Sequence, residues 1–81
     1  MPKKSPLYAQ VVGEQVRMWR RLKKITLTDM AKAAGLSQSG WSRVETGDTT
    51  MTVEQLRIAC KMLGVAPWTL LRHADRGEAF W

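Results

Sequence analysis

Four polar side chains on one short stretch carry the chemistry available to this chain: Gln38, Ser39, Ser42 and Arg43. A Gln amide can grip adenine through N6 and N7, and an Arg guanidinium can grip guanine through O6 and N7, each with two hydrogen bonds. Ser39 is short enough to serve any base, and Ser42 lies on the same side. Trp41 and Val44 fall at i, i+3 on the opposite side, so the stretch reads as a helix with an apolar inner face and a polar outer one. Ser37 is placed to cap its start, and Gly47 to end it. Just upstream, Thr26 has Asp29 three residues on, a capping-box spacing with Asp in the usual Glu place. Met30, Ala31 and Ala34 then repeat at helical spacing. Gly35 stops that helix by taking a left-handed conformation, and Leu36 plugs the turn. A helix, a tight glycine turn and a second helix displaying Gln, Ser and Arg form an arrangement that places side chains in a DNA major groove.

The elements around this unit are also legible. Residues 1–6 read as a flexible basic arm, residues 7–73 as the folded domain and residues 74–81 as a tail. A first helix is expected over Leu7–Lys24, with Val12, Val16 and Trp19 as its inner face. The two central helices are expected over roughly Leu27–Ala34 and Gln38–Thr46. Thr52 with Gln55 caps a fourth helix whose apolar stripe is Val53, Leu56, Cys60 and Leu63, and Gly64 ends it. Pro67 opens a short fifth helix that carries Leu70 and Leu71 and fades near His73. No stretch alternates as a strand does. The fold class is therefore all-α: a compact bundle of about five helices with a helix-turn-helix.

Composition narrows the function classes. With 81 residues, 44% of them hydrophobic, the chain makes one small domain with one modest core. Its net charge is +6, and residues 1–24 alone hold seven cations (Lys3, Lys4, Arg17, Arg20, Arg21, Lys23, Lys24) against Glu14. That balance favours a polyanionic partner, nucleic acid first and an acidic membrane surface or protein second. No apolar run is long enough to span a bilayer, and no signal-peptide core follows the basic start, so a cytoplasmic location is expected. Cys60 has no partner for a disulfide and reads as a compact hydrophobe. The lone His73 is expected to face a helix dipole or solvent rather than a metal. No His/Cys/carboxylate cluster, phosphate loop or nucleophile–base pair is present, so neither an enzyme, nor a metal, nor a cofactor is expected.

Three runs in order, VGEQVRMWRR, ITLTDMAKAAGLSQSGWSRVETG and TVEQLRIACKMLGVAPWTLL, resemble the lambda-repressor/Cro-type (XRE-type) helix-turn-helix domain, from about Val12 to Leu71. The resemblance implies that Gln38, Ser39 and Arg43 touch base edges, while Ser42 touches a base or a phosphate. It also implies that Arg20 on the first helix pairs with Glu45 and stands beside the DNA backbone. The alternative for that pair is a surface ion pair contributing about 0–1 kcal/mol. Phosphate contacts are expected from Arg17, Arg20, Thr26, Thr28, Ser37 and Thr50, where hydroxyls, cations and free helix N-terminal N–H groups attract anions. Two residues depart from the family pattern. Leu27 stands where many members have a phosphate-binding Gln. Trp41 replaces an Ile or Val and is expected to fill the core. Gly40 is unusual within a helix, and either lets DNA approach or reflects drift. Trp68, Phe80 and Trp81 are expected to form a homodimer contact, or else the tail folds back over its own core.

The reading that results is a small dimeric regulator binding double-stranded DNA sequence-specifically, as a repressor that occludes a promoter. The competing reading is an antitoxin or similar interaction module whose main partner is a protein such as a toxin. A basic amphipathic membrane binder is disfavoured, because caps and glycines divide the chain into short helices.

Overall fold

The computed structural model describes residues 7–76, and the helix boundaries within them fall where the caps are written. Five α-helices and no strand are present among these residues: α1 (Leu7–Leu22), α2 (Leu27–Ala33), α3 (Gln38–Thr46), α4 (Val53–Leu63) and α5 (Pro67–Asp75). Thr26 Oγ1 accepts from the Asp29 amide at 3.0 Å and Ser37 Oγ from the Gly40 amide at 3.0 Å. At α4 the box is complete: Thr52 Oγ1 accepts from the Gln55 amide and Gln55 Oε1 from the Thr52 amide. Pro67 occupies the first turn of α5. The basic arm with Lys3 and Lys4 and the tail residues Phe80 and Trp81 lie outside the described residues.

The first four helices end the same way. In each, an amide two or three residues past the helix returns to a carbonyl five residues back: Ile25 to Arg20, Leu36 to Ala31, Asp48 to Arg43 and Val65 to Cys60. This closure needs one left-handed residue. Gly35, Gly47 and Gly64 supply it after α2, α3 and α4, whereas after α1 it is Lys24, at φ +59°.

The core joins Val16 of α1, Met30 and Ala31 of α2, Trp41 and Val44 of α3, Ala59, Cys60 and Leu63 of α4, and Leu70 of α5. Helix α1 runs against both α3 and α5, and α2 packs on α3 and α4. Glycine permits a close approach of α1 to α3: a Cβ on Gly13 would stand 2.5 Å from the Val44 carbonyl oxygen. Trp41 is fully buried, as expected of a core-filling residue.

Two expectations are corrected here. Val53 does not belong to the stripe of α4. It is 81% exposed, while the inward face is Ala59, Cys60 and Leu63 with Leu56 partly buried. The i, i+3 phase extends back to Val53, but among the described residues no element buries it. Helix α5 also continues past His73 to Asp75, whose carboxylate accepts from the Tyr8 hydroxyl at 2.7 Å. That bond ties the last turn of α5 to the first turn of α1, and it raises the Tyr8 pKa. Gln15 is a further surprise: it is buried on α1, and its amide nitrogen has no partner among the described residues.

Candidate nucleic-acid interface

The outer face of α3 follows from the fixed position of its inner face. Trp41, Val44 and Glu45 are buried, so at 100° per residue the opposite side carries Ser39 and Arg43, while Gln38 is the first residue of the helix, seven before Glu45. All three are exposed, and Ser42 is half-buried at the edge. Neither Gln38 nor Arg43 has a side-chain hydrogen bond or ion pair among the described residues. Arg43 therefore presents its full set of guanidinium donors to solvent, the state needed for two-pronged recognition of a base or phosphate. Ser39 Oγ lies 3.5 Å from Ser37 Oγ. Gly40 has a local reason absent from the sequence reading: a Cβ there would press to 3.1 Å on Ser37 Oγ, the hydroxyl that caps the helix.

Beneath this face lies a buried polar cluster. Arg20 Nε donates to Glu45 Oε2 at 2.7 Å, Arg20 Nη2 donates to Glu45 Oε1 at 3.1 Å, and Arg20 Nη1 donates to the Ile25 carbonyl at 2.9 Å. Trp41 Nε1 completes the set by donating to Glu45 Oε2 at 2.8 Å. Arg20 is 8% exposed and Glu45 is buried, so this is an interior pair and not the surface ion pair weighed above. Its strength comes from the fork-on-carboxylate geometry in a medium that screens little. Three of the five guanidinium N–H groups point inward, which commits Arg20 to holding the helices together and leaves little of it for a phosphate.

The other expected phosphate ligands lie nearer the surface. Thr26, Thr28, Ser37 and Thr50 are exposed, and Arg17 is half-buried. Thr26 and Ser37 cap α2 and α3, so each hydroxyl sits beside the unbonded first-turn amides of its helix. Lys23 and Lys24 are exposed, with the Lys23 ammonium 6.0 Å from the centre of the Trp19 ring. Sequence reasoning missed two members of the buried cluster, the Trp41 N–H and the Ile25 carbonyl. The i, i+4 spacing of Trp41 and Glu45 was the available signal for the first; nothing local signals the second.

The surface along α4 and α5 differs in chemistry. Trp68 is 57% exposed on α5. Beside it, Val53, Leu56, Cys60, Val65 and Pro67 line an apolar groove of about 640 Å³, with Arg57 and Lys61 at its edge. Burial pushes the Cys60 thiol pKa up, which keeps it a neutral hydrophobe. Among the described residues no three His, Cys, Asp or Glu side chains gather as a metal site would require, and no helix is long and apolar enough to cross a membrane.

This arrangement is that of a helix-turn-helix protein, and comparison with known families agrees. The family model for the helix-turn-helix domain matches residues 11–74, so the chain belongs to that family. Its fold is the lambda-repressor/Cro type found in DNA-binding transcription regulators. Among solved structures it is similar to the clp gene regulator ClgR from Corynebacterium glutamicum, at 28% identity and a TM-score of 0.79, with 95% of this chain and 100% of that one covered. The DNA-binding domain of BldD matches at 25% identity and a TM-score of 0.69, over 83% of this chain and 97% of that one. The restriction-modification controller protein C.AhdI from Aeromonas hydrophila shares the fold at 22% identity and a TM-score of 0.72, over 80% of this chain and 98% of that one. No curated protein matches the chain.

Proposed function

We propose that this protein is a sequence-specific double-stranded DNA-binding regulator of transcription, working in the cytoplasm as a homodimeric repressor that occludes a promoter. The observation that carries the reading is the outer face of α3, where Gln38, Ser39 and Arg43 stand exposed on a helix seated by a buried ion pair. Gln38 and Arg43 read base edges, Ser39 and Ser42 contribute shorter contacts, and Arg17, Thr26, Thr28, Ser37 and Thr50 hold phosphates. Arg20 serves by fixing α1 against α3. The lopsided positive charge supplies the sequence-independent attraction. Similarity to a clp gene regulator and to the DNA-binding domain of BldD supports the same reading.

The exposed Trp68 beside an apolar groove supports a dimer contact, with Phe80 and Trp81 as further candidates. The same surface favours the second reading, an antitoxin-like module whose main partner is another protein. Selection from a pool of random duplexes tests the first reading directly. It is expected to return one enriched sequence with two-fold symmetry, its half-sites about one helical turn apart. On that duplex Arg43→Ala is expected to weaken binding by about 1–3 kcal/mol and relax one base position, whereas Arg17→Ala weakens all duplexes alike and lowers the salt slope. Failure to enrich any duplex over scrambled competitor would remove the proposal.

A further inference from the structure

The Trp41 indole does more than fill volume. It is fully buried, yet its one polar atom is turned along α3 to Glu45, one helical turn on, at 2.8 Å. Glu45 Oε2 accepts from this N–H and from Arg20 Nε together, while Oε1 takes Arg20 Nη2. A carboxylate on a flexible two-carbon stem would follow the Arg wherever that long side chain moved. An indole wedged in the core has two side-chain torsions and no room to turn, so it holds the carboxylate in one orientation relative to α3.

The consequence runs through three elements. Arg20 comes from α1, and its third bond goes to the Ile25 carbonyl, immediately before the cap of α2. The carboxylate orientation on α3 therefore sets how α1 and the entry to α2 meet the second helix of the motif. The α1–α3 contact leaves no slack: a Cβ on Gly13 would collide with the Val44 carbonyl. From Glu45 back to Gln38 is seven residues, about 10 Å of helix, so a tilt of about 6° at Glu45 displaces Gln38 by about 1 Å. A two-pronged base contact does not survive such a shift.

We propose that Trp41 is a positioning residue for base reading, acting through the hydrogen bond from its indole N–H to Glu45 and so to Arg20. An aliphatic side chain here would fill space but leave the carboxylate held from the Arg20 side alone. This inference rests on the DNA-binding reading given above. It predicts that loss of the N–H degrades discrimination between duplexes rather than general attraction to DNA.

The test compares the wild-type chain with Trp41→Phe and with a synthetic chain carrying benzothienylalanine at position 41, which keeps the bicyclic shape but replaces N–H with sulfur. The probes are the duplex enriched by selection and a scrambled duplex of equal length, titrated over a salt series. The Arg20 Nε–H resonance is followed by NMR. Both altered chains are expected to lose about tenfold in preference for the enriched duplex, keep the scrambled-duplex affinity and salt slope, and exchange the Arg20 Nε–H faster. The isosteric chain decides the matter should the Phe variant fail to fold. A folded isosteric chain with wild-type preference would overturn the inference, and so would equal losses on both duplexes. A wild-type chain that prefers no duplex would instead overturn the DNA-binding reading itself.

Discussion

The α2–α3 unit and the α4–α5 unit use the same local devices and present opposite surfaces. Each of α2, α3 and α4 starts at a Ser or Thr cap and closes on a left-handed glycine. Outside α3 the chain is polar, and beneath it lie a buried carboxylate, a buried guanidinium and an indole N–H joined by directional bonds. Along α4 and α5 the inside is purely apolar (Ala59, Cys60, Leu63, Leu70), while Val53 and Trp68 stand outside beside an open groove. Caps therefore say where a helix begins and ends but not which chemistry its two faces carry. Where orientation is held by hydrogen bonds it is specific to within an ångström or so; where it is held by apolar contact alone, small adjustments cost little.

Four substitutions break or sharpen that contrast. Glu45→Ala has the largest expected effect, because it leaves Arg20 buried without its counter-charge. Urea unfolding is expected to show a loss of about 3–5 kcal/mol. A loss under 1 kcal/mol would mean that the pair is solvated and that the two units are not held differently. Gly13→Ala comes next. Its methyl would push on the α3 backbone, which cannot yield as a side chain can, so a loss of about 1–3 kcal/mol is expected, together with weaker preference for the enriched duplex. A normal melting curve would show that α1 and α3 lie further apart than described.

Lys24→Gly reverses the sign. Lys24 is the one non-glycine residue with positive φ among the described residues, and the Cβ strain there is relieved by glycine. A gain of about 0.5–1 kcal/mol is expected in thermal melts at high salt, where the lost charge matters least. A clear loss would place the strain elsewhere. The smallest effect belongs to Val53→Gln, expected to stay within about 0.5 kcal/mol of wild type because Val53 is 81% exposed. A loss near 2 kcal/mol measured at micromolar concentration, and absent on dilution, would show a partner copy covering that face.

Helix order, both ends of the helix-turn-helix unit and its outward residues were legible in the chain because they depend on short-range rules. A hydroxyl reaches an amide three residues on, a glycine closes a turn, and the 3.6-residue period puts Ser39 and Arg43 opposite the buried side of Trp41, Val44 and Glu45. The pairing of Arg20 with Glu45 came from family resemblance, since nothing in the local spacing joins residues 25 apart. The same reasoning erred at Val53, where the period is right but none of the described residues buries the side chain. It could not place Gln15 inside.

What the sequence settled by itself was therefore a set of local conformations and the polar face of α3. The burial of a charge pair, the bond from the Trp41 nitrogen to Glu45 and the exposure of one end of α4 were decided only when the helices packed. Those properties depend on distances between segments far apart in the chain, and such distances exist only in the packed structure.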